Sequence, residues 1–298
     1  MLPLALATIY VVWGSTYLAI RVMVETMPPL LAAGARFTIA GAVFWLVLRA
    51  GRGGAARVAA TPREIAGAGV VGTLLCFGGN GLVTVAEQHV PSGLAALILG
   101  SIPLWVVVMR AAFRERVPTA TLAGVLLGFV GLAVLVLPGD RPGDAPLWGV
   151  LTCIAAAVCW AAGTFSAIRI PLPRNALTAT AWQMLLGGGG MLVVGLLVGE
   201  AGDVHPSAFS TDSILAFAYL VAIGSLLAFS AYTWLLRNAP VSLVATYAYV
   251  NPVIAILLGW AILDEEITLP VVAGALAIVA SVATVVRRES AARERAPA

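Results

Sequence analysis

The chain has 298 residues, of which 61% are hydrophobic and 10% charged, with a mean hydropathy of +1.00 and a formal net charge of +3. A soluble domain carries roughly 45–50% apolar and about 25% charged residues, so this composition excludes a soluble globular protein and points to an all-α membrane protein. The small positive charge gives no ground for a nucleic-acid partner.

Crossing about 30 Å of hydrocarbon at about 1.5 Å per residue takes about 20 helical residues. In chain order the sequence offers ten such apolar runs, at 3–20, 30–48, 65–86, 92–112, 121–137, 147–168, 176–198, 214–236, 241–263 and 271–286. The first has no basic residue ahead of it and holds Trp13 and Tyr17 where a signal peptide is plainly apolar, so it is read as a span. It also carries Thr16. The second contains Arg36, read as snorkelling to the outer surface, with a substrate carboxylate as its competing partner. The third holds Asn80 within Gly78-Gly-Asn-Gly81, the fourth Ser101, Pro103 and Trp105, and the sixth Trp160 and Thr164. Gly187 to Gly190 in the seventh run suit close helix packing. The eighth run adds Tyr232, and the ninth carries Tyr247, Tyr249, Asn251 and Pro252. Trp45, Trp148 and Trp260 lie near run ends, where an interfacial belt accounts for them. Cys76, Cys153 and Cys159 all fall inside apolar runs and are read as small core residues.

All 17 basic residues are arginines, and arginines near span ends are retained on the cytoplasmic side. With the N-terminus inside, fourteen of the 17 are cytoplasmic: Arg49, Arg52, Arg57 and Arg63, then Arg110, Arg114 and Arg116, then Arg169, Arg174 and Arg237, and finally Arg287, Arg288, Arg293 and Arg295. The outer connectors hold Arg21 and Arg141, and their acids include Glu25, Glu87, Asp140, Glu200 and Asp264-Glu-Glu266. Both termini are therefore expected to be cytoplasmic.

The run from Val90 to Pro103 aligns without a gap on Ala239 to Pro252, pairing Pro91 with Pro240, Leu94 with Leu243, Ala96 with Ala245 and Pro103 with Pro252. Slightly offset, Glu115 meets Glu265 and Gly124 meets Gly274, and Thr16-Tyr-Leu-Ala-Ile-Arg21 matches Thr164-Phe-Ser-Ala-Ile-Arg169. The chain is thus a five-span unit used twice, at 1–138 and 147–287, followed by a short cytoplasmic tail at 288–298. Five is odd, so the second copy enters from the opposite side, and ten transmembrane helices form two inverted five-helix repeats. That symmetry lets two halves open alternately around a site between them, which is a transporter's device.

These features, together with Trp13-Gly-Ser-Thr16, resemble the EamA family of the drug/metabolite transporter superfamily over about residues 3 to 287. The resemblance implies a bacterial inner-membrane secondary transporter that exports amino acids and related metabolites, and within the family the likeness is to an exporter of aromatic amino acids. It carries over no catalytic residue.

Polar groups at mid-depth are expected to face protein or a water-filled cavity. The expected substrate-binding residues are Trp13, Thr16, Tyr17, Asn80, Ser101, Trp160, Thr164, Tyr232, Tyr247, Tyr249 and Asn251. Aromatic faces for an apolar side chain and hydroxyl or amide groups for a polar end suit a small amino acid. The competing reading is efflux of organic cations held by cation-π attraction. Pro103 and Pro252 are expected hinges, freeing the carbonyls of Leu99 and Ala248 and breaking two helices that face each other. No Asp or Glu falls inside a run, so no intramembrane carboxylate is expected to couple protons, and Glu87 or His89 are left as peripheral candidates. No metal-ligand spacing, ATP-binding motif or enzyme motif is found, so no cofactor is expected. The expected partners are the amino-acid substrate and the bilayer, with the protein a monomer or weak homodimer.

Overall fold

In lipid an apolar chain must satisfy its backbone N–H and C=O groups internally, and helices do this locally. A computed structural model describes residues 1–294 apart from 52, 116, 118, 137–143, 240 and 245. Arg52, Arg116, Asp140, Arg141, Pro240, Ala245 and Arg295, used above for sidedness or the repeat, lie outside the described residues.

The first half comprises α1 (Leu2–Met23), α2 (Pro29–Ala50), a short α3 (Gly54–Val58), α4 (Pro62–Gly72), α5 (Leu82–Ala86), α6 (Ser92–Gly100), α7 (Ile102–Ala112) and α8 (Thr119–Val136). The second comprises α9 (Leu147–Ala167), α10 (Ala176–Leu197), α11 (Thr211–Tyr219), α12 (Ala228–Asn238), α13 (Val241–Val244), α14 (Tyr247–Leu263) and α15 (Leu269–Glu294). Among the described residues eight helical stretches are long and apolar enough to cross a membrane, and Thr121–Leu135 and Tyr247–Leu263 are shorter apolar helices. The start of the expected tail is helical, because α15 runs on to Glu294.

Local chemistry sets the helix starts. Thr61 and Glu64 form a capping box ahead of α4, Asn175 accepts from the N–H groups of Leu177 and Thr178, and the Ser210 hydroxyl accepts from Ser213 N. Two starts are capped from a distance: Glu200 accepts from Leu30 N and Leu31 N at 3.1 and 2.8 Å, and Glu265 accepts from Ser92 N and Gly93 N at 2.7 and 3.0 Å.

Exchanging the two halves maps most helix contacts onto one another. α2 packs along its counterpart α10, α8 along α15, and α6 against α14. α1 packs against α14 and α12, and its counterpart α9 packs against α7, α6 and α5. A π-helical segment at Thr73–Gly81 joins α4 to α5, and a second at Leu220–Leu227 joins α11 to α12 in the matching place. Nothing in the apolar patterning distinguishes these wider turns from ordinary helix. The turns before the paired glutamates also match, because Arg114 (φ 59°) and Asp264 (φ 52°) are both left-handed.

The helix breaks do not match. In the fourth run the break falls between Gly100 and Ile102, so Pro103 sits in the first turn of α7, where a missing N–H costs nothing. In the ninth run the turn comes earlier, at Thr246, whose N–H donates to Leu243 O at 3.3 Å, and α14 continues through Pro252. The expected break at Pro252 is therefore corrected. The helix forfeits one backbone bond there and stays supported by packing, with the Pro252 ring against Gly100, where an added Cβ would lie 3.0 Å from Cγ.

The largest buried cluster runs from Ile20, Met23, Val90 and Val150 near Glu87 to Val107, Val125 and Val285 toward the other end of the bundle. A smaller one, Leu6, Ile9, Leu235 and Val244, packs at the opposite end of α1. A third lies between α2 and α10. Gly188 permits that contact, since an added Cβ would meet Thr38 N at 2.7 Å, and Gly187 lets α10 approach α4, where a Cβ would meet Gly72 O at 2.4 Å. Gly189 and Gly190 face open space, so half of the expected packing stretch does not pack. Trp148 and Trp260 are exposed, as belt residues are, whereas the Trp45 indole nitrogen is buried.

Candidate functional site

A cleft of about 810 Å³, counted to its open mouth, lies where the halves meet. α1 contributes Trp13, Thr16, Tyr17 and Ile20, α2 contributes Arg36, and the first π segment with α5 contributes Asn80 and Val83. The break between α6 and α7 presents Gly100, Ile102 and Pro103. From the second half come Trp160, Phe229, Tyr247, Ala248, Asn251 and Pro252. No carboxylate is among the described lining residues.

Aromatic rings build one wall. The Trp13 ring lies 5.3 Å from Phe229, 5.1 Å from Tyr232 and 5.0 Å from Tyr247, all tilted or edge-on, the arrangement favoured by ring quadrupoles. Across the cleft Trp160 lies on the first π segment, where a Cβ on Gly79 would come within 2.6 Å of Cε3. The π turn also leaves the Leu75 carbonyl to accept from Asn80 Nδ2 at 3.3 Å.

The polar side chains spend most of their hydrogen bonds on backbone. Thr16 donates to Trp13 O at 2.7 Å. With its amide turned to satisfy its neighbours, Asn251 donates to the carbonyls of Tyr10 and Tyr247 at 3.2 Å each, tying α14 to α1. Gly14 lies at the same crossing, with no room for a Cβ against Ile254 at 2.8 Å. By contrast, the Tyr17 and Tyr247 hydroxyls and most of the Arg36 guanidinium keep free donors among the described residues.

Seven of the expected binding residues are brought together on the cleft: Trp13, Thr16, Tyr17, Asn80, Trp160, Tyr247 and Asn251. Four are not. Ser101 is fully buried, donating to Ile98 O at 2.5 Å and accepting from Trp105 Nε1 at 3.2 Å, so it fills the helix break. Thr164 is exposed and donates to Trp160 O at 3.0 Å, one turn beyond the cleft. Tyr232 stands behind Trp13 as its ring partner. Tyr249, two residues past Tyr247 and so on the far side of α14, packs against the largest core cluster.

Two readings of charged residues are corrected. Arg36 does not snorkel. It is 3% exposed, and its Nε donates to Ser225 Oγ at 3.0 Å in the second π segment. Its position near mid-run and the π turn opposite place it on the cleft, a contact that apolar patterning cannot show. Glu87 is not peripheral either. It follows Ala86 directly, is fully buried, and neither carboxylate oxygen has a hydrogen-bond partner among the described residues. Burial, then the neighbouring Glu265, pushes its carboxyl well above the ordinary range, with Arg21 and Arg36 opposing.

At the other end of the bundle Glu115 forms ion pairs with Arg110, at 2.8 Å, and with Arg169. The hydrogen bond from Arg110 does most to hold the Glu115 carboxyl below the usual range.

The model of the EamA-like transporter family matches residues 2–137 and again 147–287. The chain is 36% identical over 273 residues to YedA of Escherichia coli (strain K12), described as an uncharacterized inner membrane transporter, covering 90% of this chain and 85% of that one. It is 28% identical over 281 residues to a probable amino-acid metabolite efflux pump of Salmonella typhimurium (strain LT2), covering 91% and 90%. A crystal structure shares the fold with a TM-score of 0.63 at 24% identity, over 95% of this chain and 96% of that one.

Proposed function

Because the chain belongs to the EamA-like transporter family, we propose that it is a bacterial inner-membrane secondary transporter that exports amino acids with aromatic or other neutral side chains. The observation that carries this reading is the cleft between the halves, walled by Trp13, Trp160, Phe229 and Tyr247 and edged by a few free donors. Such walls hold an apolar side chain by ring contact while the donors fix a polar end. The inner-membrane placement follows YedA, and the amino-acid cargo follows the efflux pump of Salmonella typhimurium. A narrower likeness to an exporter of aromatic amino acids is part of the same proposal.

We read the architecture as ten spans in two inverted repeats with both termini cytoplasmic, working by alternating access. Its support is an asymmetry between equivalent residues. Glu265, from the second half, caps α6 of the first, whereas its counterpart Glu115 pairs with Arg169 at the end of α9. α1 packs along α6, and among the described residues α9 forms no comparable interface with α13 or α14. The Glu265 end is thus closed and the Glu115 end looser. In the opposite state the partners exchange: Glu265 turns to Arg21, the counterpart of Arg169, and Glu115 turns to the backbone of Val241 and Ser242. No carboxylate is among the described lining residues, and we read transport as following the solute gradient.

The test is uptake into proteoliposomes of labelled aromatic and aliphatic amino acids and one organic cation, with and without a pH gradient. Amino-acid flux that does not need the gradient is expected. Flux of the cation alone contradicts the proposal and favours multidrug efflux.

A further inference from the structure

Arg36 presents an energetic problem that its own protein does not solve. A guanidinium taken out of water costs several kcal/mol unless a counter-charge and hydrogen bonds replace the solvent. Here one hydrogen bond, Nε to Ser225 Oγ, is made, and no carboxylate pairs with the group among the described residues. The nearby acids do not serve. Glu265 is engaged by Ser92 N and Gly93 N, and both oxygens of the buried Glu87 contact no donor.

The group is nonetheless held in place. Ser225 fixes the Nε edge from behind. The second π segment passes so close that a Cβ on Gly224 would lie 3.4 Å from Nη2 and 3.1 Å from Thr16 Cγ2. The Phe37 ring centroid lies 4.6 Å from Cζ. What remains is the pair of Nη nitrogens, which make no hydrogen bond among the described residues, on a side chain that lines the cleft with Thr16, Tyr17 and Asn80. A planar fork of donors fits the two oxygens of a carboxylate.

We propose that Arg36 is the carboxylate-binding residue of the cleft and that its substrates are solutes with a free carboxylate, amino acids included. This rests on reading the cleft as the transport site. The acid end lies against Arg36 and the apolar part between Trp13, Trp160 and Tyr247. Ser225 is a positioning residue, since it reaches the substrate only through Arg36. The same unpaired guanidinium repels a plain organic cation, so the aromatic walls alone do not make this a cation site.

The experiment titrates the purified full-length protein in nanodiscs with phenylalanine, phenylalaninamide, phenethylamine and 3-phenylpropanoate, and with leucine and leucinamide, following the tryptophan fluorescence of the cleft. The native protein is expected to bind each acid on the order of 30-fold more tightly than its amide, the low end of what a buried charge pair contributes. Arg36→Gln should weaken acid binding by a similar factor and erase the preference over the amide, and Arg36→Lys should restore part of it. Equal binding of acids and amides by the native protein overturns the inference, as does binding of amines alone, or no binding of any acid. The native comparison does not depend on a variant folding, and size-exclusion profiles and melting curves check the variants. If 3-phenylpropanoate binds through Arg36 while neither amino acid is transported, the carboxylate site stands and the amino-acid reading falls. If amino acids are transported but bind no better than their amides, the reverse holds.

Discussion

Replacing Glu265 by Gln tests the closed end of the bundle. The carboxylate accepts from Ser92 N at 2.7 Å and Gly93 N at 3.0 Å and lies against Gly259, where a Cβ would come within 2.4 Å of Oε2. Gln keeps one acceptor, turns an NH2 toward the second N–H and removes the charge at the start of α6. A hydrogen bond to a charged group contributes about 1.5–3 kcal/mol, and a charge at a helix start about 0.3–1 kcal/mol at an exposed position. Glu265 is only half-buried, so the loss is discounted to about 1–3 kcal/mol, a shift of about 5–150-fold toward the open form. The assay replaces Cys76, Cys153 and Cys159, places one cysteine at Val83 on the cleft wall, and times its reaction with a membrane-impermeant maleimide added outside whole cells. Labelling should accelerate on that scale. An unchanged rate, in a protein whose melting is unaltered, would falsify the assignment of Glu265 as a latch.

Gly79→Ala should push the Trp160 ring about 1 Å to restore contact distance, costing about 1–3 kcal/mol of overpacking and weakening substrate binding; an unchanged melting curve and affinity would show that the ring is not seated there. Asn251→Ala removes the tie between α1 and α14 and should cost about 1–2 kcal/mol with reduced transport, whereas Tyr249→Phe, on the far side of α14, should leave substrate affinity within about twofold. Equal losses in both variants would contradict that placement. Glu87 titrates among Glu265, Arg21, Arg36, Tyr17 and Cys153. Its carboxyl is raised by burial, so the folded form holds the proton that the unfolded form releases. Stability is then complete below the ordinary carboxylate value of 4.5 and declines as pH rises toward the raised value, and Glu87→Gln should flatten that slope in thermal melts from pH 4 to 8. A slope retained by the variant would assign it to another group.

Part of the cleft was legible because hydrogen-bonding groups at mid-depth must face something other than lipid. That argument selects Trp13, Tyr17, Asn80 and Tyr247, which do line it. It also selects Ser101 and Thr164, because a hydroxyl reads as polar in sequence even when its donor is spent on a backbone carbonyl three or four residues back. Tyr249 misled for another reason: the turn ahead of α14 sets the helix phase, and only Tyr247 of the two tyrosines then faces the cleft.

The sequence by itself determined that the chain is helical and apolar, that it is built from two matching halves, and that its arginines gather on alternate connectors, since composition, period and order along the chain express these directly. Only the tertiary structure decided that Arg36 is buried on the cleft, that Glu87 is buried, that each half carries a π segment, and that Glu115 and Glu265 hold different partners. Each of these depends on contacts between residues far apart in the chain, and the two halves, nearly alike in pattern, differ in the state that packing imposes on them.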